Sequence, residues 1–296
     1  MQLVCCSCQA VTGCLQRAKR AGPDLRFPAG HPPRSPKQSS AAWSPSWKAK
    51  VQELSLRGMT LRSLLAFYQE DLQANLDFQY APKDHKTRDV VRRVIIPITS
   101  AEECSYAVSC HNRDGPRRAH VMVTHNWGNC FKDLLAAVVS DALQECSFQV
   151  ATKLLEEDVA LLYEMLKESC RLDDTYWICA FAVNRHMCIC RSNPYDRDPL
   201  TNVLHPVCTC HSLNISDADG QSVASETMSS NLLISDSDIN KFVHMVYHLA
   251  STGGCRQVTA VELSFDLFNR AWCVAEIAEA KRLQMRQSLQ LASKRP

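Results

Sequence analysis

VTAVELSFDLFNRAWCVAEIAE, residues 258–279, passes from a β-type run to a helical one within a single short turn. Val258, Ala260, Val261 and Leu263 read as a short buried strand, 266–270 as the turn after it, and 271 onward as a helix, since no Gly or Pro intervenes before Pro296. Trp272, Glu276, Glu279 and Leu283 fall at offsets 0, 4, 7 and 11, so Trp272 and Glu276 share a face at the helix start. Polar groups just past a strand end are where open α/β sheets keep their ligand sites.

Upstream, the same strand-to-helix pattern recurs. HVMVT (120–124) reads as a strand, and Phe131, Leu134, Leu135, Val138, Val139 and Ala142 then make a helical stripe. Residues 154–167 read as a further helix. YWICAFAV (176–183) reads as a continuously apolar strand of the kind buried on both faces of a parallel sheet. Ile239, Phe242, Val243, Val246 and Ala250 mark a helix that leads through Gly253 and Gly254 into the opening strand. Nearer the N-terminus, Thr60 is the expected N-cap of a helix carrying Leu61, Leu64, Leu65, Tyr68 and Leu72. VVRRVIIPI (90–98) is expected as a strand at the sheet edge, and Ser100 with Glu103 as the capping box of one helical turn. The sum is an α/β fold: a flavodoxin-like, mostly parallel sheet of four to five strands with flanking helices, spanning 47–296 and interrupted by a long irregular segment, 184–235.

Composition bounds the rest. No run approaches the roughly 18 apolar residues of a membrane span, and MQLVCCSCQA lacks a basic leader, so a cytoplasmic protein is expected. The 16 cysteines are then thiols, metal ligands or redox groups rather than a disulfide scaffold. The net charge of +2 hides an asymmetry: residues 1–50 carry eight Lys or Arg against Asp24 alone, leaving the body mildly acidic. Such a body lacks the concentrated basic face that nucleic acid requires. Residues 22–46 hold six of the 13 prolines, and 1–46 reads as a disordered basic tail. Cys5, Cys6 and Cys8 beside Arg17, Lys19 and Arg20 are either incidental or a peripheral acyl anchor with its basic patch.

With parallel strands, three tips share one edge of the sheet: THNWGN (124–129), NRH (184–186) and 266–276. His125, Asn126, Trp127, Asn184, Arg185, His186, Asp266, Arg270 and Glu276 are the candidate lining, with Trp127 and Trp272 as stacking walls. Glu276 has a structural alternative, complementing the helix dipole. A second constellation, His186, Cys188, Cys190, His205, Cys208, Cys210 and His211, offers soft and borderline ligands of the kind Zn2+ takes; the alternative is a set of incidental thiols. Cys130, five residues after His125, and Cys273 at a helix start are the nucleophile candidates of a cysteine hydrolase, with packing as their alternative role.

The trio THNWGN, YWICAFAVNRH and FNRAWCVAEI resembles the Toll/interleukin-1 receptor (TIR) domains and the fungal heterokaryon-incompatibility (HET) domains, and uncharacterised protist proteins carrying the same trio. The likeness covers roughly residues 118–285: a strand with a polar tip, a strand carrying Trp177-Ile178 and followed by Asn184, and a W-C-x-x-E helix. It implies a signalling or interaction module with protein partners or self-association. It also implies that Glu276 matches the glutamate of NAD-cleaving members, with NAD as substrate rather than cofactor. The alternative is a non-catalytic scaffold with a zinc-binding Cys/His loop.

Overall fold

The computed structural model describes residues 44–292 apart from 146, 191, 192, 194 and 211–237 and the side chain of Asn240. The cysteines and prolines of the N-terminal tail up to residue 43, and His211, lie outside the described residues. The last two residues of the expected tail, Pro45 and Ser46, open a helix, α1 (Pro45–Ser55), whose N-cap Ser44 accepts from the Trp47 amide.

Five strands form one sheet: β1 (Met59–Thr60), β2 (Val121–Thr124), β3 (Thr175–Ile178), β4 (Arg256–Val261) and β5 (Gln287–Leu291), in the order β1-β3-β2-β4-β5. β2 pairs in parallel with β3 and β4, β4 pairs in parallel with β5, and β1 lies antiparallel on β3. The fold is thus α/β with a mostly parallel sheet. The other main helices are α2 (Leu61–Ala66), α3 (Phe131–Ala142), α4 (Gln149–Glu157), α5 (Val159–Glu168), α6 (Phe242–Ser251) and α7 (Ala271–Arg282). The chain leaves β2 for β3 on one side and later returns to β4 on the other. The crevice at the C-terminal ends of β2 and β4 is therefore the topological switch point of the sheet.

Alternation of side chains across the pleat sends the strands into two cores. Val121, Val123, Tyr176, Ile178, Val258 and Ala260 face the larger one, beneath α2 to α5, while Met122 and Trp177 face the smaller, beneath α1 and α6. The Thr60 hydroxyl accepts from the Ser63 amide as the expected N-cap, and Leu61, Leu64, Leu65, Tyr68 and Leu72 are all buried. Each such burial contributes about 1.5–3 kcal/mol before ordering entropy is subtracted. Phe67 continues this helix, its later turns widened to π geometry over Phe67–Gln73, and meets Tyr106, Phe131 and Phe181 edge to face at 4.9–5.8 Å.

Five expectations are corrected. Residues 90–98 are helical, within a continuous run of Thr87–Val90, Val91–Ile95 and Ile96–Ile98, the middle part π-helical. Val90, Val91, Val94 and Ile95 recur with helical spacing and are buried together, and this tertiary packing outweighs their β-branched preference. The π widening stands just before Pro97, whose ring cannot join a tight α ladder. The helix beginning at 271 stops at Arg282 without glycine: Gln284 takes the left-handed conformation (φ 57°), its amide donating to Lys281 O and the Met285 amide to Ala280 O, a Schellman closure that frees 287–291 to become the edge strand. The apolar run 176–183 changes from strand to helix at Cys179, which opens the single turn Cys179–Ala182. Residues 100–103 form turns rather than a capped helix, with Glu103 at φ 46°. The helix expected over 154–167 is itself two helices, divided at Asp158, whose carboxylate accepts from the Leu161 amide.

Candidate functional site

The tips of β2, β3 and β4 and the start of α7 meet at the C-terminal edge of the sheet. Thr124, last residue of β2, donates its hydroxyl hydrogen to Glu276 Oε2 at 2.6 Å and accepts from Gln257 Nε2 at 2.8 Å. Gln257 is itself bonded at 2.6 Å by Gln287 of β5, so three parallel strands hold one carboxyl in place. Glu276 is half-buried. Burial, with the Cys179 sulfur adding to it, pushes its pKa up to about 8, against the opposing pull of the Thr124 hydroxyl and His125. His125 is buried, and burial pushes its imidazole down to about 4, helped by the nearby guanidinium groups of Arg185 and Arg270 and opposed by Glu276. Two titratable groups forced in opposite directions are the signature of an acid–base pair. Both shifts favour the uncharged form, a protonated carboxyl on Glu276 and a neutral imidazole on His125.

Cys179 completes the cluster. Its sulfur lies 4.0 Å from His125 Nε2 and accepts from Trp127 Nε1 at 3.2 Å. Arg185 donates to the Cys179 carbonyl and sets its guanidinium carbon 4.3 Å from the Trp127 ring, a cation–π contact. Cys273, on the inner face of α7, donates to His125 O at 3.4 Å, and burial pushes its thiol up to about 12. That is the setting of a packing thiol rather than a nucleophile. Cys130 likewise donates to a carbonyl, Lys83 O, with its pKa raised by burial.

Of the sequence-derived lining, the structure gathers His125, Trp127, Arg185 and Glu276. Asn126 turns toward β4, where its Nδ2 donates to Glu262 Oε1 at 2.9 Å and its Oδ1 accepts from the Gly128 amide. Glu262 also takes the Leu267 amide at 2.7 Å and keeps its Oε2 buried without a hydrogen-bond partner among the described residues. Asn184 is a turn-former: it caps the His186 amide, donates to Glu103 O, and offers its own amide to Asp238. Asp266 and Arg270 lie on the exposed turn before α7, and Trp272 is 59% exposed on its first turn. Thr124, Cys179, Gln257 and Glu262 were not anticipated as site residues. Only the strand-tip position of Thr124, at the end of 120–124, could have pointed to one of them.

Two groups of side chains could hold a metal: His186, Cys208 and Cys210, and Asp89, Asp196 and His205, each with ligand atoms within 4.8 Å of one another. In the first, His186 Nδ1 lies 3.5 Å from Cys208 Sγ; Cys190, outside the group, sets its Sγ 3.4 Å from Cys210 Sγ and donates to His186 O at 3.2 Å. Cys188 faces elsewhere, donating to Asn184 O at 3.5 Å. The second group is an ion-pair network: His205 Nε2 stands 3.0 Å from Asp89, and Arg92 Nε donates to Asp196 at 2.8 Å. With His85 and Asp198 at 3.3 Å, these pairs fasten the polar segment 196–205 to the helical run beginning at Thr87.

Fold and site together define a doubly wound α/β protein with a titratable cluster at its switch point. Comparisons find no family model, no curated protein and no solved structure that matches the chain. Among the described residues no helix is long and apolar enough to cross a membrane.

Proposed function

We propose that the chain is a TIR/HET-like cytoplasmic signalling or interaction module whose sheet edge acts on the N-glycosidic bond of a nicotinamide nucleotide through Glu276. One observation carries this reading: a half-buried carboxyl, fixed by Thr124 at the switch point and set beside a neutral imidazole. As the bond to the nicotinamide nitrogen breaks, positive charge grows on the ribose, and an ionised carboxylate held in place stabilises it. Trp272, exposed on the same helical face, offers a ring for the base to stack on. Because the Glu276 pKa is raised, its ionised form, and with it the activity, increases as pH rises through about 8.

The test is NAD consumption by the full chain and by Glu276→Ala, measured from pH 6 to 9 under conditions that favour self-association. Loss of about 100-fold or more in the variant is expected, on the scale of removing one preorganised electrostatic contact. Equal rates in the two proteins overturn the enzyme reading.

A second reading, a scaffold whose Cys/His loop binds Zn2+, is favoured by the gathering of His186, Cys208 and Cys210. It predicts about one zinc per chain in purified protein, and less than about a tenth of that overturns it.

A further inference from the structure

We infer that zinc is held by four ligands, His186 Nδ1, Cys190, Cys208 and Cys210, and that this centre fixes the tip bearing Arg185 at the sheet edge; the inference rests on the reading that the loop binds zinc. Tetrahedral Zn2+ with sulfur at about 2.3 Å and nitrogen at about 2.0 Å places neighbouring ligands roughly 3.5–3.8 Å apart. His186, Cys208 and Cys210 bring ligand atoms within 4.8 Å of one another, with His186 Nδ1 3.5 Å from Cys208 Sγ; Cys190 stands just outside this trio, its Sγ 3.4 Å from Cys210 Sγ, and joins as the fourth ligand when its thiol leaves His186 O.

The imidazole is oriented for this role. Thr99 Oγ1 commits its hydrogen to Ile95 O at 2.7 Å, so it accepts from His186 Nε2 at 2.9 Å. Nε2 therefore carries the proton, and Nδ1 turns a lone pair toward the sulfurs. Such an outer hydrogen bond is the usual partner of a metal-bound histidine. The sulfur of Cys208 in turn accepts the Cys210 amide at 3.4 Å, which holds it in register with Cys210.

The spacing C-x-C supports the set because residues 206–210 run without helix or turn, and in extended chain side chains two apart share a side. Cys208 and Cys210 therefore converge. The Cys208 amide on Cys190 O at 3.1 Å aligns the two ligand-bearing segments. His205 is outside the set because it is bonded to Asp89; Cys188 and Cys190 both rest their thiols on backbone carbonyls, and Cys190 is the one assigned because its sulfur also meets Cys210 Sγ at 3.4 Å. His186 adjoins Arg185, whose guanidinium covers Trp127, so the ion that anchors one also positions the other.

X-ray absorption at the zinc edge of the full-length wild type tests the set: three sulfurs at about 2.3 Å and one nitrogen at about 2.0 Å are expected. In metal analysis, His186→Ala, Cys190→Ser, Cys208→Ser and Cys210→Ser should each lose most of the zinc. Cys188→Ser and His205→Gln should keep it, and Thr99→Val should weaken retention about 10- to 100-fold against a competing chelator. Wild type without zinc overturns both the zinc reading and this inference. Zinc with two or four sulfurs, or retained by Cys190→Ser and lost by Cys188→Ser, overturns the ligand set alone. If the ligand variants do not fold, the wild-type spectrum still decides.

Discussion

At the sheet edge, Thr124, His125, Cys179 and Glu276 descend from strands and a helix whose places are set by backbone ladders. In the described parts of 186–210, by contrast, His186, Cys190, Cys208 and Cys210 sit on chain with little regular structure, brought together by the Cys208 amide on Cys190 O as well as by their own side chains. The first cluster is costly to form in charged states, since burial suppresses the charge of both Glu276 and His125. As the proposed zinc centre, the second would need charge, because a bound cation requires thiolates. A fold can thus place chemistry either by building a rigid edge and letting residues occupy it, or by leaving chain loose and letting ligands organise it.

The sharpest way to break this comparison is to weaken the rigid half alone. Trp177 of β3 is 1% exposed, donates its Nε1 hydrogen to Leu54 O at 2.9 Å and packs on Phe242. Trp177→Ala should lower the unfolding free energy by about 3–5 kcal/mol in urea titration, the range for a fully buried large aromatic. Zinc content of the protein that remains folded should stay unchanged. A loss under about 1 kcal/mol would show that the sheet is not the rigid partner.

The contrast also explains what the sequence could reveal. The strand tips were legible because period and run length place strands, and topology then gathers their ends; 120–124 and the start of 258–263 are strands as expected. Cys179 was hidden inside YWICAFAV because a buried strand and a buried helical turn are equally apolar, so nothing in the pattern marks where one becomes the other. β5 was hidden for a different reason. Its boundary is made by Gln284 in a conformation glycine usually supplies, at a cost of about 1–2 kcal/mol that the sheet edge offsets. The candidate ligands were visible by type, but not which of them gather: His186, Cys208 and Cys210 do, with the imidazole held by Thr99, far away in sequence.

A smaller effect separates the clusters by pH. For Glu276 the folded pKa of about 8 lies above the ordinary carboxylate value, so its contribution to stability is full at acid pH and is lost as pH rises toward 8. For His125 the folded pKa of about 4 lies below the ordinary imidazole value, so its contribution is present at neutral pH and lost as pH falls below about 6.5. Between about pH 4.5 and 6.5 the two slopes oppose each other. Between about 6.5 and 8 Glu276 acts alone, and stability should fall by about 2 kcal/mol. Glu276→Gln should flatten that interval in chemical unfolding at a series of pH values. An unchanged slope in the variant would mean that some other group titrates there.

The smallest expected effect lies where the two regions touch. Arg185 belongs by position to the loop and by contact to the edge: its guanidinium stacks on Trp127 and donates to the Cys179 carbonyl. Lysine preserves the charge but neither the planar stacking nor the fork of donors. Arg185→Lys should therefore cost about 0.5–1 kcal/mol in urea unfolding, the scale of one partly exposed cation–π contact, and shift Trp127 fluorescence while zinc content is unaltered. Loss of zinc in this variant would show that the edge organises the loop, reversing the direction of dependence; a fluorescence shift alone is the outcome expected if the loop organises the edge.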